Sequence, residues 1–347
     1  VSEGGRDLPE APASPNTGFM SRRLKAVLIL VALLAVTAGG GWWYASRTYA
    51  APGPLAEPAQ IVVPRGGATA IAEALSERGV IRDPRAFLAA VYLTRGQGPL
   101  RAAEYVFPAG ASLAQVLEVL RQGRPVQRRV TIPEGLTARQ IAVILERTEG
   151  LFGETPAFDE GALLPETYAF QWGDTRAAVV RRADQAMDAA LTEIWAARAP
   201  NLPISTPREA LILASIVERE TAKPEERARV AGVFINRLRR NMPLQSDPTA
   251  AYAAADGGLL ERPLTRADLE RDHPFNTYRV RGLPPGPIAS PGRDSLVAVT
   301  RPEATDFIFF VADGTGGHAF ARTLEEHNRN VARWREIERQ RNANNAR

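Results

Sequence analysis

One uncharged stretch constrains this chain more than any other feature. Residues 26–44 read AVLILVALLAVTAGGGWWY, 19 residues without a charge, about the helical length that crosses a bilayer core. Trp42, Trp43 and Tyr44 close it, and such rings favour the membrane–water interface. Arg22, Arg23 and Lys25 precede it, whereas residues 45–64 contain Arg47 as their one basic group. The positive-inside bias therefore predicts a cytoplasmic N-terminus and export of everything that follows. A cleaved signal peptide, with small residues at Thr37-Ala38-Gly39, is the alternative and exports the same residues. The rest of the chain holds no second stretch of this kind, which excludes a polytopic transporter. The absence of cysteine suits an oxidising compartment, and with only three histidines it disfavours a structural zinc site. A net charge of +4 over 347 residues gives nucleic-acid binding no support.

The flanks divide the chain further. Residues 1–24 read as a disordered cytoplasmic tail, 25–45 as the transmembrane helix and 46–58, ending APGPLAEP, as a stiff linker. Three similar segments follow. Pro64-Arg65-Gly66, Pro108-Ala109-Gly110 and Pro133-Glu134-Gly135 each come after a short β-prone run and lead into a helix with aliphatic residues four apart. Ser112 with Gln115, and Thr137 with Gln140, have capping-box spacing. Residues 59–149 are thus expected to form a small α+β region of strand–turn–helix units. It is either a packing repeat or, since Pro-x-Gly-x-Thr before an aliphatic helix resembles LysM modules, a glycan-binding one. Its three turns are read as carrying no convergent carboxylates, so it is expected to add affinity and not chemistry.

From about residue 150 the character changes. Thr206 and Glu209 form a capping box, Pro207 suits the first helical position, and residues 210–217 are apolar almost all round, which predicts a buried helix. Glu218 falls in its last turn, on the face of Leu211, Ala214 and Ser215. Glu220 points about 200° away, on what is expected to be a far, uninvolved face. A carboxyl continuing an apolar face at a helix C-terminus is desolvated and meets the negative dipole end, and both effects favour its protonated form. That prepares a general acid. A carboxylate paired with Arg219, Lys223 or Arg227 is the alternative. Three loops offer binding groups: Glu166 and Tyr168 in LPETY, Gln245, Ser246 and Asp247 in MPLQSDPT, and Asn276, Tyr278 and Arg279 in the segment 274–292. Five prolines and three glycines there preclude helix, yet its apolar residues do not suit a free linker. A strand over 306–312, a Gly-rich hairpin turn and a capped terminal helix end the chain. No HExxH or GxSxG motif occurs.

Read together, the single anchor, the LysM-like region, LPETY at 164–168, ASIVERET at 214–221, VFINRL at 233–238, MPLQSDPT at 242–249, NTYRVRGLPPGPIASPG at 276–292 and FVADGTGGHAF at 310–320 resemble the YceG-like endolytic murein transglycosylases. The resemblance spans residues 22–340. It implies an α+β fold, a catalytic domain over 150–347, and a lyase that cleaves peptidoglycan glycan strands without water or cofactor. The glutamate of ASIVE, Glu218, is then the catalytic acid/base. Glu166, Tyr168, Gln245, Ser246, Asp247, Asn276 and Tyr278 are the expected substrate contacts, with no metal. The implied partners are glycan strands, the lipid bilayer of the inner membrane and peptidoglycan synthases. An inactive, membrane-tethered glycan-binding scaffold is the competing reading.

Overall fold

A computed structural model describes residues 22–345. The expected tail lies outside the described residues up to residue 21, and its last three residues are already helical. Helix α1 (Arg22–Ala50) contains the apolar stretch and is long and apolar enough to cross a membrane, with no side chain buried by the protein. It continues five residues into the expected linker (46–58). Nothing between Ala45 and Ala50 breaks a helix, and the first proline is Pro52.

The described residues divide into two compact units, 22–124 and 125–345. In the first, β1 (Ala59–Val62), α2 (Ala68–Glu77), α3 (Pro84–Leu93), β2 (Glu104–Phe107) and α4 (Leu113–Gln122) follow α1. Strands β1 and β2 pair antiparallel, Ala59 opposite Phe107 and Val62 opposite Glu104. Their inward residues Ile61, Tyr105 and Phe107 pack with Leu75, Phe87, Leu117 and Leu120 into one apolar core. Tyr49, at the end of α1, rests against that core.

The second unit begins with β3 (Arg128–Thr131), α5 (Ala138–Arg147), β4 (Thr167–Phe170), α6 (Arg176–Ala196), α7 (Pro207–Glu220) and α8 (Pro224–Arg239). It continues through α9 (Asp247–Ala254), α10 (Arg266–Glu270), α11 (Arg293–Thr300), β5 (Phe309–Ala312), β6 (His318–Ala321) and α12 (Leu324–Asn345). All three expected strand–turn–helix segments form, and both predicted capping boxes are made. The third, however, belongs to the second unit, so the boundary expected at 149/150 falls at 124/125. The cause is pairing: β3 joins β4 antiparallel, and Val130 and Ile132 bury against Ile141, Leu145 and Phe170. A second core holds the site. Leu213, Ile216 and Val217 of α7 are fully buried against Val230 and Phe234 of α8 and Leu296 and Val299 of α11. Helix α7 has the predicted cap, Thr206 and Glu209 reciprocally bonded. The fold is mixed α+β, its sheets among the described residues being three antiparallel strand pairs.

Candidate active site

Glu218 lies in the last turn of α7 with 5% of its side chain exposed. Its Oε2 accepts the Gly292 N–H at 2.9 Å, and its Oε1 accepts from the Arg227 guanidinium at 3.2 Å. Burial pushes the carboxyl above its usual range, and the adjacent Glu134 adds to this; the Gly292 amide, the Ser295 hydroxyl and Arg227 pull the other way.

Arg227 comes from α8 and is itself buried. The nitrogen that binds Glu218 also binds Glu134 Oε2 at 3.0 Å, and its other terminal nitrogen lies 3.5 Å from Asp294 Oδ2. Glu134 sits in the turn between β3 and α5. Gly135 there has φ +75, a left-handed conformation that glycine adopts freely. Its amide donates to the Ser290 carbonyl at 2.9 Å, and its carbonyl accepts from Arg219 at 2.9 Å. The reading that the three turns carry no convergent carboxylates is therefore corrected: the third delivers one to Glu218.

The segment 274–292 is irregular, as its prolines require, and runs beside α7 in the same direction. Pro285 accepts from Arg208, the Ile288 N–H donates to Ser215 Oγ, and Gly292 reaches Glu218. At Gly292 a Cβ would overlap the Glu134 carboxylate, so any larger residue there would push that carboxylate out of its present place.

The expected binding residues separate. Gln245, Ser246, Asp247 and Tyr278 gather on the opposite side of α7, around Glu220. The Tyr278 hydroxyl donates to Asp247 Oδ1 at 2.6 Å, and Arg237 donates to Gln245 Oε1 at 3.2 Å. Burial raises the Glu220 carboxyl to about 7, Asp247 adding to the shift while the Ser246 hydroxyl and Arg237 oppose it. The far face of α7 is thus a second desolvated polar cluster and not an idle surface. Burial and the Asp247 carboxylate raise the Tyr278 hydroxyl well above its ordinary value.

Two expected contacts are corrected to structural roles. Asn276 is fully buried, and its amide donates to the Asp268, Leu269 and Arg271 carbonyls while its oxygen accepts from the Tyr278 N–H. Nothing of it is left for a ligand. Tyr168 is buried in the core around β4, its hydroxyl given to the Leu164 carbonyl at 2.7 Å. Glu166 is exposed on β4's approach, its carbonyl accepting from the Ile132 N–H. Asn276→Ala is accordingly expected to cost about 1–3 kcal/mol of stability by removing the buried amide that ties the Asp268, Leu269 and Arg271 carbonyls together. A urea melt checks this; an unchanged midpoint contradicts it.

Between Glu218 and Glu220 around the helix, Arg219 lines a small hollow of about 40 Å³ with Thr137, Tyr252, Leu260 and Ile288. A wider one of about 530 Å³, beside Trp195, Arg198 and Ser205, lies at the other end of α7 and is lined by no carboxylate.

An enclosed carboxyl shifted towards its protonated form, with a cation beside it, has the make-up that general acid–base chemistry requires. The YceG-like family matches residues 61–333, and the chain belongs to that family. It is 32% identical over 302 residues to the endolytic murein transglycosylase of Bacillus subtilis, covering 78% of this chain and 82% of that one. To the protein of the same name from Streptococcus pneumoniae D39 it is 32% identical over 283 residues, covering 67% of this chain and half of that one. A crystal structure of a yceG-like protein from Listeria monocytogenes is 28% identical with TM-score 0.48, over 79% of this chain and 99% of that one.

Proposed function

We propose that this protein is a membrane-anchored endolytic lytic transglycosylase. It cuts the β-1,4 bond from N-acetylmuramic acid to N-acetylglucosamine in nascent peptidoglycan and so ends strand elongation. The observation that carries the reading is Glu218: the ASIVE glutamate is enclosed, raised towards its protonated form and backed by Arg227. Glu218 protonates the departing oxygen as the C1–O bond breaks. The resulting carboxylate, held by Gly292 and Arg227, then takes the proton of the muramyl C6 hydroxyl as O6 bonds to C1. The names of the relatives support the substrate. Helix α1 supports anchorage in the inner membrane, with the N-terminus cytoplasmic and everything after α1 outside. In this reading the first unit is a LysM-like glycan holder, synthases that make the strand are partners, and Gln245, Asp247 and Tyr278 face the substrate from the second cluster, whereas Ser246, fully buried, supports them from beneath and is corrected to a structural role.

The test is product analysis. The full-length protein in detergent, incubated with purified sacculi, is expected to release fragments ending in 1,6-anhydromuramic acid, detected by mass spectrometry. Reducing muramic ends would make it a hydrolase, and intact strands would leave a binding scaffold; either result ends the proposal.

A further inference from the structure

One arginine serves two glutamates at the site. A single Arg227 nitrogen contacts Glu134 Oε2 at 3.0 Å and Glu218 Oε1 at 3.2 Å, so the two carboxylates stand closer than those bonds laid end to end. They differ in hydration: Glu134 is 42% exposed and Glu218 is 5% exposed. Asp294, 3.5 Å from the same guanidinium, is 75% exposed. One positive charge thus faces three carboxylates, and the dry one gains most by carrying a proton. The turn presenting Glu134 is fastened on both sides, by Ser290 bonding Gly135 and Leu136 and by Glu160 accepting the Ala138 N–H at 2.8 Å. The contact is built into the fold and does not depend on a free loop.

We propose that Glu134 is a positioning residue for Glu218: by claiming a share of Arg227 it weakens that arginine's hold on the Glu218 carboxylate. With Glu134 neutral, Arg227 would serve Glu218 more fully and stabilise its anion, and the acid would be spent before substrate arrived. The charged and titratable groups facing Glu218 are Arg227 from α8, Glu134 from the β3–α5 turn and, through Arg227, Asp294 from α11. Arg219, next to it on α7, is turned to the Gly135 carbonyl. The inference rests on the acid–base reading of Glu218.

The experiment follows kcat/KM against pH for the full-length protein in detergent on uncrosslinked glycan strands. Glu134→Gln is expected to move the alkaline limb, which reports loss of the acid's proton, to lower pH by about one unit, with little change in KM. Activity falls roughly tenfold above the limb and recovers as pH is lowered. Gly292→Ala, whose Cβ displaces the Glu134 carboxylate, is expected to move the limb in the same direction. Glu134→Asp keeps the charge and should restore part of the shift. A limb that stays in place in a folded Glu134→Gln protein overturns the inference, as does a rise in KM alone, which would make Glu134 a substrate contact. Retained activity of Glu218→Gln in the same assay would instead overturn the functional reading.

Discussion

Glu218→Gln is expected to abolish glycan cleavage, lowering the rate by about 10²–10⁴-fold, because an amide can neither give a proton to the leaving oxygen nor take one from the muramyl hydroxyl. The structure adds a cost in stability. Both Glu218 oxygens accept, one from Arg227 and one from the Gly292 N–H, and glutamine replaces one acceptor with a donor. About 1–3 kcal/mol of stability should go with it, so circular dichroism at the assay temperature must show a folded variant. Glu225→Gln, exposed at the start of α8, is the control for surface charge. Cleavage by a folded Glu218→Gln protein at near wild-type rate would remove the acid from the mechanism.

The second large effect is on stability and belongs to Glu220. Its carboxyl rises from 4.5 to about 7 in the folded protein, chiefly through burial. The folded state therefore holds this proton more tightly than the unfolded chain does. Below about pH 4.5 the group is protonated in both states and its contribution is fully present. As pH climbs towards 7 the unfolded chain ionises first, and stability is lost across that window. About 3 kcal/mol is the expected size, from the shift at about 1.4 kcal/mol per unit. Glu220→Gln should flatten this part of the curve. Urea melts of both proteins at pH 4 and pH 8 measure it, and parallel profiles would show that Glu220 is not the responsible group.

What could be read from the sequence was what is local. The cap at Thr206, the apolar run and the proline after Thr221 together fix α7, and helical periodicity sets Glu218 apart from Glu220. The rest of the site is long-range. Glu134 lies 84 residues before Glu218 in sequence, inside what looked like a repeat of the preceding region, and no local pattern tells that β3 will pair with β4 and not extend the first sheet. One signal was present: of the three Pro-x-Gly turns only the third has a carboxylate at the middle position, where the others carry Arg65 and Ala109. The two faces of α7 misled for a related reason. Periodicity separates Glu218 from Glu220 but is silent on what covers each side, and here Ser246 and Arg237 cover the side expected to be idle. Asn276 and Tyr168 looked like binding groups because polar side chains in a loop or at a strand edge look alike whether they are saturated internally or open to a ligand.

The strap from Pro285 to Gly292 has a consequence for how sequences of this kind can vary. Surface connections ordinarily accept insertions and deletions at little cost. This one is stitched to α7 at Arg208, Ser215 and Glu218 and to the turn around Gly135. Adding or removing one residue between Ile288 and Gly292 would advance the chain by about 3.3 Å, leaving Glu218 without its backbone donor and Glu134 without its glycine gap. Substitutions along the strap are a matter of degree, but its length works as a fixed gauge, and relatives that keep the chemistry are expected to keep the residue count.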